Sequence, residues 1–398
     1  MRVPCLHAQP HTPRGPSEPP AISVKAVVID TDDEEDDAPT TIVAAAPTRL
    51  FNGNGSSVGS SFVADVRTGK IDGSKHESAG IALPSSIDER GLEKYIAECD
   101  ELFRADEPLL ALRRLLLVEK LVDAAGLRPL RQRADEDYRI FSILRTEEEL
   151  DPMLTAMLAD DWTLFSKKKE MQTETWIKMT GGGRAAVKVT GVLPHDITHM
   201  AACLLHPELY STWIPGITFA KQLSRAANFR RTIYVRPLKV PIPFLTPRDA
   251  VLVGYGDIYS PTSAVVYLNT LEPDDPRLGD VSEELEKLSP TGSTVRMGLS
   301  GGFVFETLPG GKGTKLSAQL NLDLKLKIVP PSVIDWFIKH IASNLIPMYH
   351  KQAGKFEPGG PLESRMHEGA DAKTYVELRR RLAVLKKGEK ADDGEAQK

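Results

Sequence analysis

The chain has 398 residues, 41% hydrophobic and 26% charged, enough to bury one substantial core plus accessory segments. Its formal net charge of -5 argues against nucleic acid as a partner, because neutralising phosphates takes a basic surface. Cys5, Cys99 and Cys203 form no CxxC, the first residues hold no apolar h-region, and no apolar run reaches about 18 residues; this excludes a disulfide framework and a zinc-finger pattern, and reads as a soluble, cytoplasmic protein.

Residues 1–84 are rich in Pro, Gly, Ser, Thr and Asp and poor in large apolar side chains, so they read as a disordered arm. Within the arm, Val27, Val28 and Ile29 precede an acidic run, Asp32-Asp33-Glu34-Glu35-Asp36-Asp37. A β-branched triplet beside acids resembles a SUMO-interacting motif, which implies a SUMO-type partner by strand addition; the plain alternative is a solvated acidic stretch.

Residues 85–134 read as a helical hairpin. Leu92, Tyr95, Ile96, Cys99, Leu102 and Phe103 form one stripe, and Leu109, Leu112, Leu115, Leu116, Val118 and Leu121 a second. Asp106-Glu107-Pro108 breaks them apart and Gly126 ends the pair. A further helix is expected over Asp135–Leu144. Strands follow at Trp162–Met171, Thr173–Met179 and Ala185–Val192, the last two joined at Gly181-Gly182-Gly183. With no helix start and no Lys-Ser or Lys-Thr after them, those glycines predict a hairpin turn and no phosphate cradle. The same holds for Gly310-Gly311-Lys312-Gly313.

Pro194–Trp213 reads as a helix placed between strands. It carries His195, His199 and His206, but no carboxylate completes an HExxH pattern and His206 lies before Pro207 at the helix end, so no metal is expected. Strands are then expected at Ile217–Leu223, Arg230–Val235, Ala250–Ile258, Ser263–Leu271 and Thr294–Thr307, with an acidic insertion at Glu272–Pro290. Leu238–Pro247 is an apolar, proline-stiffened loop that needs a surface to lie on; Ile242, Phe244 and Leu245 in it are candidate gate residues. From Leu316 to Ile328 apolar residues alternate strictly with polar ones, predicting a strand of about 43 Å. Pro330 and Pro331 stop it, and Ser332 can cap a helix running to about Gln352. That helix has Val333, Ile334, Phe337, Ile338, Ile341, Leu345 and Met348 on one face, and Pro347 should kink it by removing the hydrogen bond to the Ser343 carbonyl. Residues 358–398 read as a basic tail, with Thr374–Leu385 a candidate solvated helix that could meet an anionic membrane.

This order of elements resembles the helix-grip arrangement of the START lipid-transfer family. Thr246-Pro247-Arg248-Asp249 is similar to the family's Pro-Arg-Asp motif, and His206-Pro207-Glu208-Leu209-Tyr210-Ser211-Thr212-Trp213 to the segment after its inserted helix. The likeness covers about residues 135–357. It implies an α+β helix-grip fold: a curved antiparallel sheet around a long C-terminal helix, enclosing a cavity for lipid. The family often has Phe after Arg-Asp, where Ala250 stands here. Sterol-binding members tend to carry a buried arginine where this chain has Gly254, with its acidic partner's place near Val235, which weakens a claim for sterol.

The reading that follows is a non-enzymatic lipid carrier or sensor that meets a membrane surface transiently. Candidate lipid-contacting residues are Phe337, Ile341, Leu345, Ile334, Ile338, Leu320, Leu322, Leu324, Phe303 and Phe305, with Tyr234, Arg248, Tyr255 and Tyr267 as polar fixing groups. Ile242, Phe244, Leu245 and Pro347 form the gate. No catalytic residue, cofactor or metal is expected. The rivals are a helix-grip hydrolase or cyclase, for which His195, His199 and Glu306 are the only suspects, and an adaptor whose arm and hairpin bind proteins.

Overall fold

The computed structural model describes residues 86–181, 184–237, 246–260, 262–290, 292–326 and 337–382. The arm with Val27, Val28 and Ile29, the gate residues Ile242, Phe244 and Leu245, the cap at Ser332, and Ile334 lie outside the described residues.

The hairpin forms where the two stripes place it. Helix α1 (Glu89–Arg104) starts at Asp88, whose side chain accepts from the Gly91 amide at 2.7 Å, and buries Leu92, Tyr95, Ile96 and Cys99. Helix α2 (Pro108–Ala124) opens with proline at its first position, and Gly126 takes the left-handed conformation just past its end. Helix α3 spans Tyr138–Leu158, starting later and running 14 residues past the expected end at Leu144, through Pro152. Beyond Leu144 it turns Leu150, Met153 and Leu154 onto Tyr267, Val265 and Val304 of the sheet, a tertiary contact that no local signal announces.

The strands are β1 (Thr163–Lys168), β2 (Thr173–Gly181), β3 (Arg184–Leu193), β4 (Ile217–Arg225), β5 (Arg230–Pro237), β6 (Arg248–Ser260), β7 (Ser263–Thr270), β8 (Val295–Arg296), β9 (Gly298–Thr307) and β10 (Thr314–Asp323). Between β3 and β4 lies helix α4 (Ile197–Leu205). It stops there, and the chain does not stay helical to Trp213 as expected, because Pro207 biases His206 away from helical backbone; a separate helical turn follows at Tyr210–Trp213. The sheet order is β1-β2-β3-β10-β9-β7-β6-β5-β4, antiparallel throughout, with the short β8 parallel to β6. The insertion between β7 and β8 carries the small helix α5 (Ser282–Leu288).

Strand β10 ends at Asp323, five residues short of the expected Ile328. There the Asp323 carboxylate accepts from the Lys325 amide at 2.8 Å and Lys325 adopts a positive φ of 52°, an Asx-type turn that ends the ladder although the alternation of side chains continues. The helix after it is not continuous. Residues 337–340 are helical, Ala342–Asn344 form a 3₁₀ turn, and helix α6 covers Leu345–Ala353. A final helix, α7 (372–382), buries Thr374, Tyr375, Leu378 and Arg381 in the body of the protein. This corrects the expectation of a solvated or membrane-facing tail helix: Tyr375 and Leu382 join the main core, and Leu378 is buried on the wall of a small cavity. No helix among the described residues is long and apolar enough to cross a membrane.

Candidate functional site

The inner face of the sheet and the broken helix enclose a cavity of about 450 Å³. Its wall takes residues from β2 (Ile177), β3 (Val187), β10 (Leu320), β9 (Leu299), β7 (Leu268), β6 (Leu252), β5 (Val235) and β4 (Ile217). Eight strands side by side would span about 35 Å if flat, at roughly 4.8 Å each, so contact with one cavity requires a strongly curved sheet. The helix contributes Phe337, Ile338, Ile341, Leu345 and Tyr349.

Of the sequence-predicted residues, Leu320, Leu322, Leu324, Phe303, Arg248, Phe337, Ile338, Ile341 and Leu345 line this cavity. Four do not. Tyr234 is on the opposite face of β5 from Ile233 and Val235, packed with Val251, Val253, Leu271 and Leu278 beneath the insertion. Tyr255 and Tyr267 also face outward, stacked on each other at 4.9 Å, with Arg277 reaching the Tyr255 hydroxyl at 3.3 Å. Phe305 is on the inner face but one level too far along β9: it pairs with Leu316 and sits 6.3 Å from Tyr349 in solid core. Strand parity alone, counted from Val235, Leu252 and Leu268, puts the three tyrosines on the outer face.

Sequence reasoning missed Trp213, Tyr210, Tyr349, Leu204, Met297 and Leu268, all on the wall. Trp213 and Tyr349 matter most, because the Trp213 Nε1 and the Tyr349 hydroxyl are buried without a hydrogen-bond partner among the described residues. Their rings meet edge-on at 5.2 Å. Burial pushes the Tyr349 hydroxyl well above its ordinary range, so it stays a neutral donor. By contrast, the Tyr210 hydroxyl is satisfied by the Leu204 carbonyl at 2.6 Å. A smaller cavity of about 60 Å³ adjoins the first through Leu204, Tyr210 and Leu268. On its wall Arg231, 4% exposed, lies opposite Gly254 in the β5–β6 pairing, and its charge is met by Asp371 at 2.6 Å. A buried charge pair therefore exists near Gly254, with its cation on β5 and its acid from the segment before α7.

The three histidines have separate partners. His195 joins Glu357 and His350, each at 2.7 Å; His199 pairs with Asp196 at 3.2 Å; His206 bonds the Tyr375 hydroxyl at 2.8 Å. Glu306 pairs with Lys315 at 3.5 Å. None of these four residues is on the cavity wall.

Pro347 stands at the third position of α6, where its missing amide costs the helix nothing. The Ser343 carbonyl it leaves free accepts instead from Lys168 Nζ of β1 at 3.3 Å. The break falls at Ile341–Asn344, just before the proline.

No family model and no curated protein matches the chain. Solved structures to which it is similar include human StAR-related lipid transfer protein 5, at TM-score 0.44 and 15% identity over 54% of this chain and 98% of that one. Human STARD10 gives 0.43 and 14% over 56% and 83%. The Zhui aromatase/cyclase of Streptomyces gives 0.29 and 10% over 44% and 99%.

Proposed function

We propose that this protein binds a lipid or another apolar small molecule in the cavity between sheet and helix and acts as its carrier or sensor, without turning it over. The observation that carries the reading is an apolar cavity of about 450 Å³ on whose wall the Trp213 Nε1 and the Tyr349 hydroxyl lie buried without a hydrogen-bond partner among the described residues. At roughly 30 Å³ per water-sized group, that volume takes a chain of at least about 15 methylenes. Burying such a chain gains on the order of 10 kcal/mol relative to water at about 0.8 kcal/mol per methylene, comparable to what a bilayer interior gives the same chain, so the cavity can shield it during passage through water. An enzyme reading needs a base or nucleophile at the wall; the ionisable side chains that the described residues bring there are Arg184, Arg248, Tyr210 and Tyr349, which suits binding. Loading from a membrane surface that is met transiently, and work in the reducing cytoplasm with Cys99 and Cys203 as free buried thiols, belong to the same reading.

Leu320→Trp tests it, since a large ring on the β10 wall fills the cavity from within. After incubation with phosphatidylcholine vesicles, separation and extraction, the parent protein carries lipid and the variant several-fold less, with an unchanged circular dichroism spectrum. Equal loading of the two contradicts the assignment of the cavity.

A further inference from the structure

Three arginines border the two cavities, and their partners differ. Arg184 at the rim is two-thirds exposed and pairs with Asp323 at 3.4 Å. Arg231 is buried and pairs with Asp371 at 2.6 Å. Arg248, 7% exposed at the start of β6, has no carboxylate within ion-pair distance among the described residues. Its neighbour Asp249 turns to the other face of the sheet, where Arg296 at 2.8 Å, Ser289 and Thr294 take it up. Arg248 is instead held by neutral carbonyls: Nε donates to Leu324 at 3.3 Å and Nη1 to Thr246. Nη2 bonds none of the described residues. A buried cation without an anion is costly and is tolerated where a counter-charge arrives from elsewhere. The two carbonyl bonds fix the guanidinium before that charge comes.

We propose that Arg248 is a recognition site for an oxyanion, a carboxylate or a phosphate, at the end of a long-chain amphiphile held in the cavity; this rests on the lipid-binding reading above. The register of the sheet gives the layout. Tyr349 lies 6.1 Å from Phe303, which pairs with Ala318 of β10. Leu324, whose carbonyl holds Arg248, is six residues further on, about 20 Å along the strand direction at roughly 3.3 Å per residue. The head therefore sits by Arg248 and the tail runs toward Trp213 and Tyr349. Burial pushes the Arg248 guanidinium down with no acidic side chain opposing it, as expected of a charge that awaits a partner.

The test compares palmitate, hexadecyl phosphate and hexadecanol, equal in chain and different in head, in displacing a neutral fluorescent lipid probe from the full-length protein. At least one anion is expected to bind tenfold or more tighter than the alcohol, and which one does so names the oxyanion. In Arg248→Gln that advantage collapses while hexadecanol binding is retained. Hexadecanol binding as tightly as both anions in the parent protein overturns the role of Arg248 and leaves the apolar cavity standing. A probe that does not bind at all overturns the lipid-binding reading, and this assignment with it.

Discussion

Asp257 shows how a single side chain couples this molecule to pH. Its carboxylate is buried in the body, accepting from the Leu109 amide at 2.9 Å, near the start of α2, and from its neighbour Ile258 at 2.7 Å, with Arg381 of α7 at 3.5 Å. Burial dominates and pushes it up to about 7, the hydrogen bonds and the arginine offsetting only part. The folded state therefore holds this proton more tightly than the unfolded chain, whose carboxyl titrates near 3.9. Its stabilising contribution is complete below about pH 4 and is lost as pH rises toward 7. The substitution Asp257→Asn puts a neutral amide in place of the protonated acid at every pH. The melting temperature of the parent relative to that variant should therefore fall between pH 5 and pH 8; a constant difference contradicts this. The same scale shows what a sequence conceals. Leu320, Leu322 and Phe337 were legible as wall residues because apolar periodicity fixes their face. Tyr234, Tyr255 and Tyr267 offer hydroxyls suited to fixing a polar group, but their odd or even position along the strand assigns them outward. Trp213 carries no such signal: only the fold brings its indole to Tyr349.

At the scale of elements, the helix over the cavity is two pieces held differently. Helix α6 sits so close on β3 that a Cβ on Gly191 would come 2.7 Å from Ile346, which fixes the second piece to the sheet. The first piece, described over residues 337–340, meets it through the 3₁₀ turn whose Ser343 and Asn344 are bonded by Lys168 at the edge of the sheet. We infer that this joint lets the first piece swing and admit ligand. Pro347→Ala restores an amide that can bond the Ser343 carbonyl and extend α6 across the joint. Lipid exchange between vesicles should slow several-fold at unchanged final loading; an unchanged rate removes the joint from the mechanism. The break was legible in Pro347, but its place was not, because a proline in the first turn of a helix lacks only an amide that has no partner there, and the helix breaks at Ile341–Asn344 before it. Likewise, alternation through Leu326 hid the end of β10, since period two describes faces and says nothing of hydrogen bonding.

Across the whole molecule, the hairpin, sheet and last helix are tied by a buried polar network. Arg381 donates to the carbonyls of Asp106 and Ala105 in the hairpin and faces Asp257 of the sheet, while Asp371 pairs with both Arg231 and Arg225. The order of elements that builds the grip was readable from turns and periodicity, and so was the hairpin; the docking of α7 was not, because its many charges suggested solvent until partners from distant segments came into place. The cavity these pieces enclose is the centre of the account, and native mass spectrometry of the purified full-length protein tests it most directly. The intact mass should exceed the 43.7 kDa of the chain by that of one lipid, released on activation and identified by extraction. A protein that stays at the bare chain mass, even after incubation with lipid vesicles, contradicts it.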